Sequence, residues 1–417
     1  MKSFNHKSFF LKKIKPYLFF FALFFVVSTI TSCQGKKKGK EGSQEEIKKE
    51  LDFAVVSNQW NQLFIKKEGW FGGDGIFGIP MDGKEFVPAT DSTITLFTFG
   101  DTMIGHHNGD TLLKKDFKMI NNSVGVLKGR HPIVKKIKFH WIKDENGEAM
   151  ELFKPNTPNS KPKDYYWLGD GFVNAEGDDN LYIFAYPVQE KDTTGIGGFN
   201  FQQIGVNLLM IPKGSKPPYL NHKQLETPFF NAETQTSFGS AIFVNTKTAG
   251  APHPDGYIYS YAVSNQKELK GLLVARVSSE DFITFDKWRF WNGSNWVEDM
   301  KNATYIADDV SNEMSVSPLS NGKIILTYQD KTMSSDVVVQ IGESLVGPFN
   351  EKQLVYQTSE FKRHKDYFTY NAKAYPHLSS PNTLLISYNV NSFNFWTDIL
   401  NHPNLYRPRF LEWVIKE

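Results

Sequence analysis

The chain has 417 residues, 40% hydrophobic and 22% charged, with 35 Phe, 17 Tyr, 9 Trp, 31 Gly, 20 Pro and one Cys. That composition excludes a disordered chain, and the length suffices for two or three domains or for one large repeat fold. A single cysteine excludes a disulfide framework and any cysteine-based zinc or iron–sulfur centre.

Residues 1–32 hold five lysines and no acid, and an apolar run from Tyr17 to Val27 precedes Ser28-Thr29-Ile30-Thr31-Ser32-Cys33. A basic flank, a short apolar run and small polar residues make an export signal, too short to span a bilayer. Ile30 to Cys33 resembles the lipobox of bacterial lipoproteins, which implies cleavage before Cys33 and lipidation of its sulfur at the cell envelope. Removing the leader leaves 42 basic against 45 acidic side chains, a formal −3, so the +2 of the whole chain is no sign of nucleic-acid binding. Residues 33–51 are charged and nearly free of apolar side chains, a tether that is solvated or touches anionic lipid through its lysines.

From residue 52 onward, short strand-like runs bounded by Gly, Asn, Asp and Pro replace any long helical period, so the body is all-β. Five segments share one plan, a polar opening, a short apolar strand, a turn and an aromatic-rich return strand. They open near Gly73, Gly169, Gly239, Asn312 and Tyr370, with turns at Asp82-Gly83, Gly177-Asp178, Asp255-Gly256, Asn321-Gly322 and Pro381-Asn382. The spacing predicts five units of about four strands each, a five-bladed β-propeller over residues 52–417. Pairing of the 408–415 strand with the region around Phe53–Lys66 would close the ring and remove an exposed edge. Two stacked β domains divided near 215–235 are the alternative.

Aligned openings put Asp74, Asp170, Ser240, Glu313 and Asn371 in one column. The end of the return strand gives a second, with Asp101 and Asp330 beside Tyr186, Val263 and Val390. Carboxyls that converge in a funnel push each other's pKa values apart. Glycoside hydrolysis uses such a set, one carboxyl protonating the leaving oxygen while another activates water or attacks the anomeric carbon. Taken singly, each Asp beside Gly also suits an ordinary turn.

The segments GWFGGDGIFGIPMDG, LFTFGDTMIG, MINNSVGV, YWLGDGFV, SNEMSVSPL, YNAKAYPHLS, LLISYNVNS and YRPRF resemble bacterial propeller families of unassigned function in which endo-D-arabinanases occur. More distantly, they are similar to five-bladed arabinanase- and fructosidase-type glycosidases. The resemblance implies a glycoside hydrolase acting on a polysaccharide, an arabinan-like furanoside in the first place. It puts the catalytic role on Asp74 and Asp101, with Asp170 and Glu313 as acid or tuning partners. A surface lipoprotein that only binds glycan in the same funnel is the rival reading. Asn122, Trp167, Lys373, His377, Asn389, Asn391 and Arg407 are candidates to hold sugar, and each is also a candidate for structural hydrogen bonding or packing. No cofactor is implied and no histidine shows ligand spacing, while a calcium in the funnel would leave no mark in the sequence. A monomer with an oligo- or polysaccharide substrate and no nucleic-acid partner is expected. Replacing Cys33 by Ser is expected to move the protein from the membrane to the soluble fraction; continued membrane retention contradicts lipidation.

Overall fold

A computed structural model describes residues 53–190, 201–267 and 269–415, so the leader, Cys33 and the whole tether lie outside the described residues. No helix among the described residues is long and apolar enough to cross a membrane.

The described chain is all-β, and most of its strands fall into five principal antiparallel sheets. Sheet I comprises Phe77–Pro80, Ile94–Phe99, Ser123–Lys128 and Ile137–His140; sheet II comprises Tyr165–Val173, Leu181–Glu190, Asn207–Ile211 and Lys223–Glu226. Sheet III begins with Thr236–Asn245, Tyr257–Ser264 and Gly271–Ser278, and sheet IV comprises Met314–Pro318, Ile324–Gln329, Asp336–Gly342 and Gln353–Gln357. Sheet V runs Tyr367–Ala374, Thr383–Ser392, Arg409–Val414, and its fourth strand is Val55–Val56 from the other end of the chain. Each of the five expected turns holds a left-handed residue: Gly83, Asp179, Gly256, Gly322 and Asn382. This conformation suits Gly, Asn and Asp best.

Side chains alternate across each strand, and both faces are buried. Ile79 and Leu96 of sheet I pack with Leu168 and Ile183 of sheet II. The opposite face of sheet II, through Phe184 and Leu208, packs with Phe238 and Leu273 of sheet III. Tyr261 and Val274 meet Val316 and Leu326 of sheet IV, and Val337 and Val339 meet Leu384 and Ile386 of sheet V. Finally Tyr375, Leu385 and Phe410 of sheet V pack with Ile76, Phe97 and Phe99 around sheet I. The second of these cores thus draws side chains from both sides of the 215–235 segment.

The two ends of the described chain are stitched together by more than the Val55–Val56 strand. Ser57 Oγ donates to Glu412 Oε1 at 2.5 Å, and buried Asn61 accepts from the Phe410 amide at 3.1 Å. Phe64, on the turn after the helix Asn58–Leu63, stacks on Phe410 at 5.2 Å and meets Phe97, Phe99 and Trp70 edge-on. Phe64→Ala is therefore expected to lower unfolding free energy by about 3–5 kcal/mol, read by chemical denaturation; a loss below ~1 kcal/mol contradicts a closing role for this cluster.

Candidate active site

Asp74 and Asp101 sit on two adjacent backbone corners. The strand Glu68–Gly73 belongs to a small sheet with Thr102–His106 and Phe117–Ile120, next to sheet I in sequence. At Asp74 the chain crosses from that small sheet into sheet I, and at Asp101 the return strand crosses back. The corners hydrogen-bond each other: the Asp74 amide donates to the Asp101 carbonyl at 3.3 Å and the Gly100 amide to the Asp74 carbonyl at 2.9 Å. Gly75 takes φ +58° to make the bend. A Cβ on Gly100 would lie 2.8 Å from Asp74 Oδ1, so the glycine leaves the room that this carboxyl occupies. Buried Thr102 locks the second corner by donating to the Gly100 carbonyl at 2.8 Å.

Three other members of the aligned column stand at β-bulges. The ladder shifts register between Leu168 and Gly171, between Phe238 and Ala241, and between Tyr370 and Lys373, so Asp170, Ser240 and Asn371 each fall within a bulge. A bulge bends the strand and re-aims a side chain. Glu313 directly precedes the strand Met314–Pro318. It forms an ion pair with Lys373, a residue only 1% exposed, and accepts from Asn371 Nδ2 at 3.1 Å. The Lys373 ammonium also lies 4.1 Å from the Phe77 ring centre, a cation–π contact.

The four acids form one electrostatic group. Burial, and next the negative charge of Asp74, push Asp101 up to about 8, while a hydrogen bond from Trp167 works the other way. Burial raises Asp74 to about 6 against hydrogen bonds from Tyr370 and Tyr406, with Glu313 adding to the rise and Lys373 opposing it. Tyr370 donates to Asp74 Oδ2 at 2.8 Å. Burial and the Asp74 charge keep both phenols well above their ordinary range, so both remain donors. Asp170 is raised to about 7 by burial, opposed by the Gly171 and Ile242 amides that donate to it at 2.8 and 2.7 Å, by Lys373 and with Glu313 adding to the rise. Both Asp170 oxygens are thus engaged by backbone, one of them across to sheet III. The sharing of protons belongs to the set, and burial pushes both Asp74 and Asp101 above the ordinary carboxylate range.

The candidate sugar-holding residues divide. Trp167 reaches Asp101, Lys373 reaches Glu313, and Asn391 Nδ2 contacts the Tyr370 hydroxyl at 3.4 Å. Asn122 is instead fully buried and spends its amide on the backbone of Phe153 and Tyr166, clamping sheet I to the segment before sheet II. His377 is buried against Thr95 Oγ1 at 3.1 Å, and burial pushes its imidazole down to about 3. Asn389 is fully buried, and Arg407 turns its guanidinium to the Pro408 carbonyl at 3.2 Å. Asp330 is paired with Lys352, which also holds Asp309, and does not join Asp101. The residue missed in YRPRF is Tyr406, beside Arg407. A cavity with room for a few waters lies along Asp170 and Lys373 toward His377. Aromatic surface flanks the acids: Trp167 meets Phe201 at 4.8 Å, and Phe368 meets Phe393, itself 66% exposed, at 4.6 Å.

An all-β protein with a half-buried set of coupled carboxyls is the class these features define. The chain belongs to the family described as a domain of unknown function, DUF5005, whose model matches residues 57–414. No curated protein matches the sequence. Among solved structures, a candidate hydrolase from Bacteroides ovatus ATCC 8483 shares the fold, with TM-score 0.64 and 18% identity over 90% of this chain and 97% of that one. Looser likenesses include a levansucrase from Gluconacetobacter diazotrophicus, with TM-score 0.43 and 12% identity over 82% of this chain and 78% of that one. An α-L-arabinofuranosidase from Podospora anserina gives TM-score 0.39 and 10% identity, over 83% and 96%.

A carboxyl whose native pKa is raised binds its proton more tightly when folded. It contributes stability below its unfolded pKa, near 4, and that contribution is lost as pH rises through the folded value. For Asp170, raised from 3.8 to about 7, the stability advantage of wild type over Asp170→Asn is expected to be largest near pH 4. It should shrink by up to ~4 kcal/mol by pH 8. Denaturation curves across that range check this, and a gap independent of pH contradicts the raised carboxyl.

Proposed function

We propose that this protein is a lipid-anchored glycoside hydrolase of the bacterial cell envelope, folded after its tether as one five-bladed β-propeller. The cycle of five sheet-to-sheet cores and the pairing of Val55–Val56 with Arg409–Val414 support that architecture. The substrate class is a poly- or oligosaccharide, with an arabinan-like furanoside first among those to test.

The observation that carries the reading is the placing of Asp74 and Asp101 on touching backbone corners, where burial pushes both carboxyls above their ordinary range. At neutral pH Asp101 gives its proton to the leaving glycosidic oxygen as the C–O bond breaks. Ionised Asp74, steadied by Tyr370 and Tyr406, either attacks the anomeric carbon or takes the proton of the attacking water. If Asp74 attacks, the water that later releases the sugar returns a proton to Asp101. The Glu313–Lys373 ion pair sets the local field, and Asp170 ties sheet II to sheet III beneath it. Trp167 and Phe368 offer flat apolar faces for sugar rings.

Release of reducing ends from a panel of arabinans, galactans and fructans is the test. Asp101→Asn and Asp74→Asn are each expected to lose ~10²–10⁴-fold in kcat with folding kept. The wild-type rate should fall below about pH 6 and above about pH 8. Undiminished activity in both variants overturns the assignment, and tight glycan binding without cleavage makes the protein a binding module.

A further inference from the structure

A second group of ligating side chains lies on the outer part of sheet V. His364 and Asp366 stand at the entry to the strand Tyr367–Ala374. Asp398 comes from the helix Phe395–Asn401, which follows the strand Thr383–Ser392. Asp366 is four residues before Tyr370, roughly 13 Å along the strand, so the group is distinct from the four acids. His364 Nδ1 lies 3.9 Å from Asp366 Oδ2 and 3.9 Å from Asp398 Oδ2. One donor atom from each residue falls within 4.8 Å of the other two.

We propose that His364, Asp366 and Asp398 bind a divalent transition-metal ion of the zinc or manganese class, which pins the Phe395–Asn401 helix to the strand carrying Tyr370, Asn371 and Lys373. The donors face one another without a competing cation: among the described residues, no lysine or arginine lies within 4 Å of either carboxylate. Asp398 is only 7% exposed, and a buried carboxylate without a cation is costly. Ligands held ~2.0–2.2 Å from a metal stand roughly 3–4 Å apart, so the two His364 separations of 3.9 Å already fit, and a contraction of about 1 Å in the widest separation closes the set.

The donor set also selects the metal. An imidazole nitrogen with two carboxylates suits zinc, manganese or iron(II) better than calcium or magnesium, which favour oxygen alone. The Ser392 hydroxyl donates at 2.5 Å to Asp398 Oδ2, the same oxygen that faces His364, and so fixes the orientation of this carboxylate. The His364 ring rests on Tyr367 at 4.9 Å. Nδ1 has one competing contact, the Asp366 amide at 3.4 Å, which is long for a hydrogen bond. The ion would tie down the segment that exposes Phe393 and Trp396, which are 66% and 54% exposed, leaving the remaining coordination positions to water.

The test uses the whole chain from residue 33, made soluble by Cys33→Ser, stripped with chelator and titrated calorimetrically with zinc chloride and manganese chloride. One equivalent of zinc or manganese is expected to bind and to raise Tm. His364→Gln and Asp366→Asn, both at partly exposed positions, should weaken binding at least ~10-fold while circular dichroism shows the fold unchanged. Absence of binding of either metal at ~100 μM, where a micromolar site would be saturated, overturns the proposal. Equal binding by the variants, or binding of calcium but neither transition metal, overturns it too.

Discussion

Two carboxyl groups are held on touching backbone corners with too little water to ionise both freely, and most of the local structure answers that constraint. Gly100 has no Cβ because the Asp74 carboxyl fills that space. Thr102 fixes the Gly100 carbonyl, so the corner does not relax outward. Tyr370 and Tyr406 hand hydroxyl donors to Asp74, and Lys373 supplies a buried positive charge, committed to Glu313. Burial remains the largest influence on Asp74, Asp101 and Asp170, so their proton affinities rise despite these partners.

Such a cluster needs a rigid frame, since its members come from residues 74 to 406. The frame is the series of sheets, neighbours packed together through shared apolar cores, with Phe64, Phe410 and Tyr375 packed against Phe97 and Phe99. Tyr375 belongs to that packing and donates to the Ile76 carbonyl at 2.9 Å, two residues beyond Asp74. Stability and site geometry are therefore linked: loosening the seam between sheets V and I moves the corner that carries Asp74. The bulges extend the same logic, each spending a ladder position to turn Asp170 or Asn371 toward the cluster.

Much of this is legible in the amino-acid sequence. The five-segment plan follows from turn chemistry and strand periodicity, which are local, and each expected turn holds a left-handed residue. The column of Asp74, Asp170, Glu313 and Asn371 is legible too, because the segments place their bulges and strand entries at matching positions. What stays hidden depends on contacts distant in sequence. Asn122 and His377 look like sugar ligands in isolation, yet backbone from Phe153 and Tyr166 and the hydroxyl of Thr95 claim them. Tyr406 gives no signal beyond its neighbour Arg407, because its role depends on the chain's end returning to its beginning. His364, Asp366 and Asp398 meet only because a helix folds back on a strand entry, which sequence spacing does not reveal.

On this reading the Asp74–Asp101 corner keeps one carboxyl protonated at neutral pH. Carboxyl ¹³C NMR titration of aspartate-labelled protein, compared with Asp101→Asn, tests it most directly. The account predicts a resonance that titrates near pH 8 in the wild type and is missing in the variant. Aspartates that are all ionised by about pH 5, close to the ordinary carboxylate range, would contradict it.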